Sequence, residues 1–254
     1  MMQPKEAIND FVIKFANVNG TGSASANGMF AKAIFRMGIP VSPRNIFPSN
    51  IQGLPTWYEV RISQDGYLGR RGGIDMMVSV NPQSFAKDVG EVEPGGYMLY
   101  DSTKPLDLRH VRRDIHYLGI PLTEMCLREY TDSRQRQLFK NVIYVGALSA
   151  LLDIDFAILK DLVSEQFKGK EKLITPNIHA LEMGHQFAST HFECPLGIHL
   201  KAGEQTPKHI EEFDHILMDG NTAAALGAVY AGATVAAWYP ITPSISVVDA
   251  FEKY

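Results

Sequence analysis

Apolar residues fall into two regimes along this chain. Through the first half they come in short runs. Phe11-Val12-Ile13-Lys14-Phe15-Ala16 has the length of a buried strand. Trp57–Ser63 alternates apolar and polar residues with period two, and Ile74–Val80 is a further run. Tyr97–Tyr100 and Ile115–Leu118 complete the candidate strands, with Gly, Pro and Asp clusters between them. After the first run come Gly20-Thr21-Gly22 and then Met29–Gly38, whose apolar spacing predicts a helix with a glycine stop. Strand, glycine-rich turn and helix open a doubly wound unit, so the expected fold class is α/β and Rossmann-like.

From Ser133 the period lengthens. Residues 133–152, 155–167 and 174–191 carry apolar positions three and four apart, which predicts three helices. Asp155 and Thr175-Pro176 supply starts. The chain then loosens around Cys194-Pro195, Gly197, Gly203 and Pro207. This divides it into a first domain at 1–195, a linker at 196–213 and a second unit at 214–254. The second unit leads from Gly220 through an Ala/Gly-rich helix into Ala236-Ala237-Trp238-Tyr239-Pro240-Ile241-Thr242-Pro243-Ser244, read as a strand running into a stiff turn.

Composition narrows the function. Of 254 residues, 45% are hydrophobic and 20% charged, enough apolar material for a core. Net charge is −4 with no basic block, which argues against nucleic-acid binding. Cys126 and Cys194 form no CxxC pattern, so neither a disulfide framework nor an iron–sulfur site is legible. The N-terminus lacks an apolar signal core, and no stretch reaches the length of a membrane span. The expectation is a soluble cytoplasmic protein with no membrane partner.

Three turns carry candidate chemistry. The first is Asn19–Ser25, where Gly20, Thr21, Gly22, Ser23 and Asn27 lie where a phosphate-binding turn would. Ser25 replaces the third glycine of a dinucleotide fingerprint, and no acid follows about twenty positions on, so a nicotinamide cofactor is disfavoured. A purely structural turn remains the alternative. The second is Tyr67–Gly73, whose Arg70 and Arg71 suit a phosphate or subunit contact, or else mark a solvated hairpin tip. The third is Pro240-Ile241-Thr242-Pro243, where Thr242 is either a helix cap or a substrate-facing hydroxyl. Arg109–Arg113 reads as a solvated helix face. His179, His185, His191 and Cys194 lack metal-ligand spacing, so no metal is expected in this chain.

Gly220–Ser244 resembles the start of the pyrimidine-binding domain of 2-oxoacid:ferredoxin oxidoreductases, and residues 11–80 resemble their gamma domain. The arrangement is similar to an alpha subunit of the 2-oxoglutarate type with the gamma domain fused ahead of it, apparently truncated at Tyr254. The resemblance implies an enzyme part. With coenzyme A, a 2-oxoacid is oxidatively decarboxylated to acyl-coenzyme A and CO2, and electrons pass to ferredoxin. It implies coenzyme A at Gly20, Thr21, Gly22, Ser23 and Asn27, and thiamine diphosphate near Pro240, Ile241 and Thr242, with Thr242 orienting substrate. Residues 49–56 are similar to a family loop near the coenzyme but lack its lysine. Mg2+ and a [4Fe-4S] cluster are expected in a beta subunit, within a dimer of alpha–beta heterodimers. The isolated chain is expected to be inactive. The competing expectation is a non-catalytic docking module with a structural glycine loop.

Overall fold

The alternation between apolar runs and glycine turns is realised as a layered α/β unit. The computed structural model describes residues 3–18, 20–46, 54–202, 216–239, 241 and 244–254. In chain order the elements are β1 (Ala7–Ile8), β2 (Asp10–Val18), α1 (Ser23–Arg36), β3 (Val41–Ile46), β4 (Pro55–Ser63), β5 (Ile74–Ser79), α2 (Phe85–Glu91), β6 (Val92–Asp101) and β7 (His116–Ile120). Then follow α3 (Leu122–Glu129), α4 (Ser133–Leu151), α5 (Phe156–Gln166), α6 (Ile174–His191), β8 (Ile198–His199), α7 (Gly220–Tyr230) and α8 (Ile245–Lys253).

Six strands form one sheet in the order β3-β4-β2-β5-β6-β7. β2, β5, β6 and β7 run parallel. β4 is antiparallel to β2, from Asp10 opposite Ser63 to Val18 opposite Pro55, and β3 is antiparallel to β4. The α/β fold is therefore as expected, but the sheet is mixed rather than wholly parallel. Pro43 is tolerated in β3 because that strand forms the sheet edge.

The continuous apolar run of β2 follows from burial on both faces. Phe11, Ile13 and Phe15 join the large core with Phe30 and Ile34 of α1 and Tyr144 and Leu148 of α4. The Phe15 ring lies 5.2 Å from Phe30 and 5.8 Å from Tyr144, centroid to centroid. Val12 and Ala16 face a smaller cluster with Met77, Met98 and Val89 of α2. Burial of this kind contributes on the order of 25 cal/mol per Å² of apolar surface.

The helical part matches the lengthened period. Asp132 and Asp155 cap α4 and α5, accepting from Gln135 N at 2.8 Å and Ala157 N at 2.9 Å. Contacts with the first unit continue past residue 195. β8 pairs in parallel with β1, and Leu196 N and Leu200 N donate to Leu151 O and Leu152 O at 2.8 and 2.9 Å. Leu196, Ile198 and Leu200 are buried in the large core. Beyond it, α7 is capped by Asp219, which accepts from Thr222 N at 2.9 Å. Residues 231–239 form no strand, contrary to expectation. Val235 and Tyr239 are 83% and 77% exposed, and among the described residues no strand lies beside this segment to complete a ladder.

Candidate functional site

The glycine turn lies at the carboxyl end of β2. Gly20 and Gly22 take φ of 83° and 76°, the left-handed region that only glycine enters cheaply. Helix α1 begins at once, at Ser23, with Gly22 as an N-cap that makes no side-chain bond. The first N–H groups of a helix have no partner within it, and they lie at the positive end of its dipole. The turn thus offers backbone donors to an anion.

Two of the side chains read from the sequence as donors are engaged elsewhere. The helix starts six residues ahead of the apolar pattern at Met29, which places Ser25 and Asn27 inside it. Asn27 is buried, donates to Asn17 Oδ1 at 3.1 Å and accepts from the Tyr144 hydroxyl at 2.6 Å. Ser23 is buried as well, and Thr21 Oγ1 donates to Val18 O at 2.8 Å. Asn27 and Thr21 are therefore consumed in holding the turn.

A cavity of about 580 Å³ opens at the carboxyl ends of β5 and β6, β5 being the sheet neighbour of β2. Asn81, Gln83, Tyr100, Asp101, Thr123 and Lys140 line it. Two bonds tie it to the turn. Asn81 Nδ2 donates to Asn17 O at 3.2 Å, and Asn141, next to Lys140, donates to Thr21 O at 2.8 Å. Open α/β sheets bind ligands at this end of the strands.

Asp101 organises the cavity wall. It accepts from Thr103 Oγ1 at 2.7 Å, from Thr123 N at 3.2 Å, from the Thr123 hydroxyl, and from Lys140 Nζ at 3.1 Å. Burial pushes its carboxyl pKa up, but the bonds from Thr123, Thr103 and Lys140 together outweigh this and hold it below the usual range. Lys140 Nζ is thereby held in place at the cavity wall. Backbone donors, a fixed cation and a cavity of this size suit a phosphate-bearing ligand with an apolar or aromatic body. Asp101, Lys140, Asn141 and Tyr144 carry no local sequence signal. The usable signal for Asp101 was its position at the end of a parallel strand.

Arg70 and Arg71 do not join this site. They lie between β4 and β5, at the opposite end of the sheet. Arg71 pairs with Asp75, a fully buried carboxylate that also meets Lys5 and accepts from Val12 N at 2.7 Å. Arg70 Nε lies 3.6 Å from Glu59. Arg112 is likewise structural rather than part of a solvated helix face, donating to Val89 O at 2.9 Å and Val92 O at 2.6 Å.

Pro240, Thr242 and Pro243 lie outside the described residues, as do residues 49–53 of the coenzyme-like loop. Their neighbours form a tight corner in which Ile241 N donates to Tyr239 O at 2.8 Å and Ser244 Oγ donates to Ile241 O at 2.6 Å. The α6 histidines have protein partners. His179 Nε2 lies 3.0 Å from Glu129, and His185 Nδ1 lies 2.8 Å from Ser149 Oγ. No helix among the described residues is long and apolar enough to cross a membrane.

Residues 12–187 match the family described as "Pyruvate ferredoxin/flavodoxin oxidoreductase". A curated relative, "2-oxoacid:ferredoxin oxidoreductase 2, subunit alpha" of Aeropyrum pernix, is 24% identical over 96% of this chain and 43% of its own length. The fold is similar to that of 2-oxoglutarate:ferredoxin oxidoreductase from Magnetococcus marinus, solved with 2-oxoglutarate, coenzyme A and succinyl-CoA bound. Its TM-score is 0.82 at 24% identity, over 96% of this chain and 41% of that one. Pyruvate oxidoreductase subunit PORC of Thermotoga maritima matches with TM-score 0.57 at 20% identity, over 70% of this chain and 96% of that one. The chain thus spans less than half the length of the alpha-subunit relative.

Proposed function

The chain belongs to the pyruvate ferredoxin/flavodoxin oxidoreductase family, and from that premise we propose that it is the coenzyme A-binding part of a 2-oxoacid:ferredoxin oxidoreductase alpha subunit. The observation that carries the reading is an uncapped amino end of α1 together with a cavity walled by Lys140 at the ends of the neighbouring strands. Backbone N–H groups of the Gly20–Ser23 turn bind a phosphate of the coenzyme. The Asp101-anchored Lys140 takes a second anionic group, and the apolar floor at Phe85 and Ala86 receives the base. Thr21 and Asn27 shape the turn instead of touching ligand.

The wider reading is oxidative decarboxylation of a 2-oxoacid, with 2-oxoglutarate favoured because the Magnetococcus enzyme was solved with it. Thiamine diphosphate would supply the carbanion chemistry near Pro240, Ile241 and Thr242. Mg2+ and the [4Fe-4S] cluster would be held by a beta subunit in a dimer of heterodimers that passes electrons to ferredoxin in the cytoplasm. Calorimetric titration of coenzyme A into the chain tests the core of this. Saturable binding that Gly22→Trp abolishes supports it, and absence of binding at millimolar coenzyme sinks it.

A further inference from the structure

We infer that helix α4 positions the glycine turn, through Leu138, Asn141 and Tyr144. These residues are three apart, so they share one helix face, and that face is turned toward α1. Each engages a different part of the turn. The Tyr144 hydroxyl donates to Asn27 Oδ1 at 2.6 Å and accepts from Asn17 Nδ2 at 3.4 Å, bridging the end of β2 to the first turns of α1. Asn141 Nδ2 donates to the Thr21 carbonyl at 2.8 Å and so fixes the peptide that sets where the Gly22 N–H points. Leu138 closes the remaining side, since a Cβ on Gly22 would lie 2.5 Å from Leu138 Cδ2.

The geometry has a chemical consequence. Asn17, Asn27 and Tyr144 satisfy one another in a buried cluster, and buried polar groups that are fully paired rigidify what they connect. The donors of the turn are thus preorganised before any ligand arrives, which reduces the ordering cost of binding. None of the three α4 side chains needs to touch the ligand. They are positioning residues, whereas Lys140 on the same helix faces the cavity itself. One helix therefore both supplies a cation and sets the direction of the backbone donors. This inference rests on the reading that the turn takes the coenzyme.

Two near-isosteric variants test it in the full chain, Tyr144→Phe and Asn141→Asp. Each is expected to weaken coenzyme A binding about tenfold, the equivalent of one hydrogen bond's worth of orientation. Each should also speed amide hydrogen exchange in peptides covering residues 18–25 while leaving those covering β5 unchanged. Val92→Ala, buried at the amino end of β6 and so at the opposite end of the sheet from the turn, is the control for mere loss of stability and should leave the dissociation constant unmoved. Wild-type affinity together with unchanged exchange at 18–25 in both variants would overturn the inference. Faster exchange in a chain whose wild type binds no coenzyme would keep the positioning role and discard the coenzyme site.

Discussion

Gly184 of α6 lies against the main chain of Ile143 in α4, and Gly146 of α4 lies against that of Leu181 in α6. A Cβ on Gly184 would fall far inside van der Waals contact with Ile143 O, and one on Gly146 would do the same with Leu181 O. The two helices cross as closely as their main chains allow. Alanine at Gly184 would gain ~1 kcal/mol of helix propensity. It would lose roughly 3 kcal/mol to overpacking, because the opposing atoms are backbone and cannot swing aside. Denaturant titration of Gly184→Ala is expected to show a net loss of about 2 kcal/mol.

The turn itself should show coupling. Gly22→Ala adds left-handed strain of ~1–2 kcal/mol and a clash with Leu138. Truncating the half-exposed Leu138 removes the clash and leaves the strain. A double-mutant cycle with Leu138→Ala is expected to return about 1 kcal/mol of coupling. Additive losses would place Leu138 elsewhere in solution.

Lys140 divides ligand binding from folding. Lys140→Met should weaken coenzyme A binding about tenfold and lessen its dependence on salt, as expected for removal of one cation from an anion site. Its effect on folding is read through Asp101. That carboxyl is held below the usual range, so the stability it contributes is present above the ordinary Asp pKa and is lost as pH falls through the lowered value. Thermal midpoints from neutral to acid pH should drop less steeply in Asp101→Asn than in wild type.

Asp88 titrates in the opposite sense. It is fully buried in α2 and accepts from Trp57 Nε1 at 2.9 Å, Ser84 Oγ at 2.7 Å and Ser79 Oγ at 3.0 Å. Burial raises its pKa by more than these donors lower it. The native state then holds the proton more tightly than the unfolded chain. Its contribution to stability is complete below the ordinary Asp pKa and is lost as pH rises through the raised one. Asp88→Asn, which can keep the Trp57 bond, is expected to flatten that decline in a stability–pH series. An unchanged slope would show that the carboxyl titrates normally.

The strands around Phe11, Trp57, Ile74 and Tyr97 were legible because burial writes a strong apolar pattern into them. β3 was not, since Arg44 and Asn45 are exposed on an edge strand and Pro43 interrupts the run. The start of α1 was hidden for a different reason. Ser23 and Asn27 are polar yet buried, and Asn27 is satisfied by Tyr144, 117 positions away. No local pattern encodes such a pairing. The same holds for the cavity, whose cation is anchored across 39 positions by Asp101. The glycine turn could be located from its composition, but which of its groups point outward depends on a helix more than a hundred residues later. Arg71 shows the converse, because its pairing with Asp75, four positions on, could not be read from the composition of its turn.

The parallel pairing of Ala7–Ile8 with Ile198–His199 fastens the start of the first domain to its finish. A module whose entry and exit share a hem can be stitched onto a neighbouring polypeptide, or released from it, with little disturbance inside. Thermotoga PORC, almost all of which is matched by 70% of this chain, has the extent of such a free-standing piece.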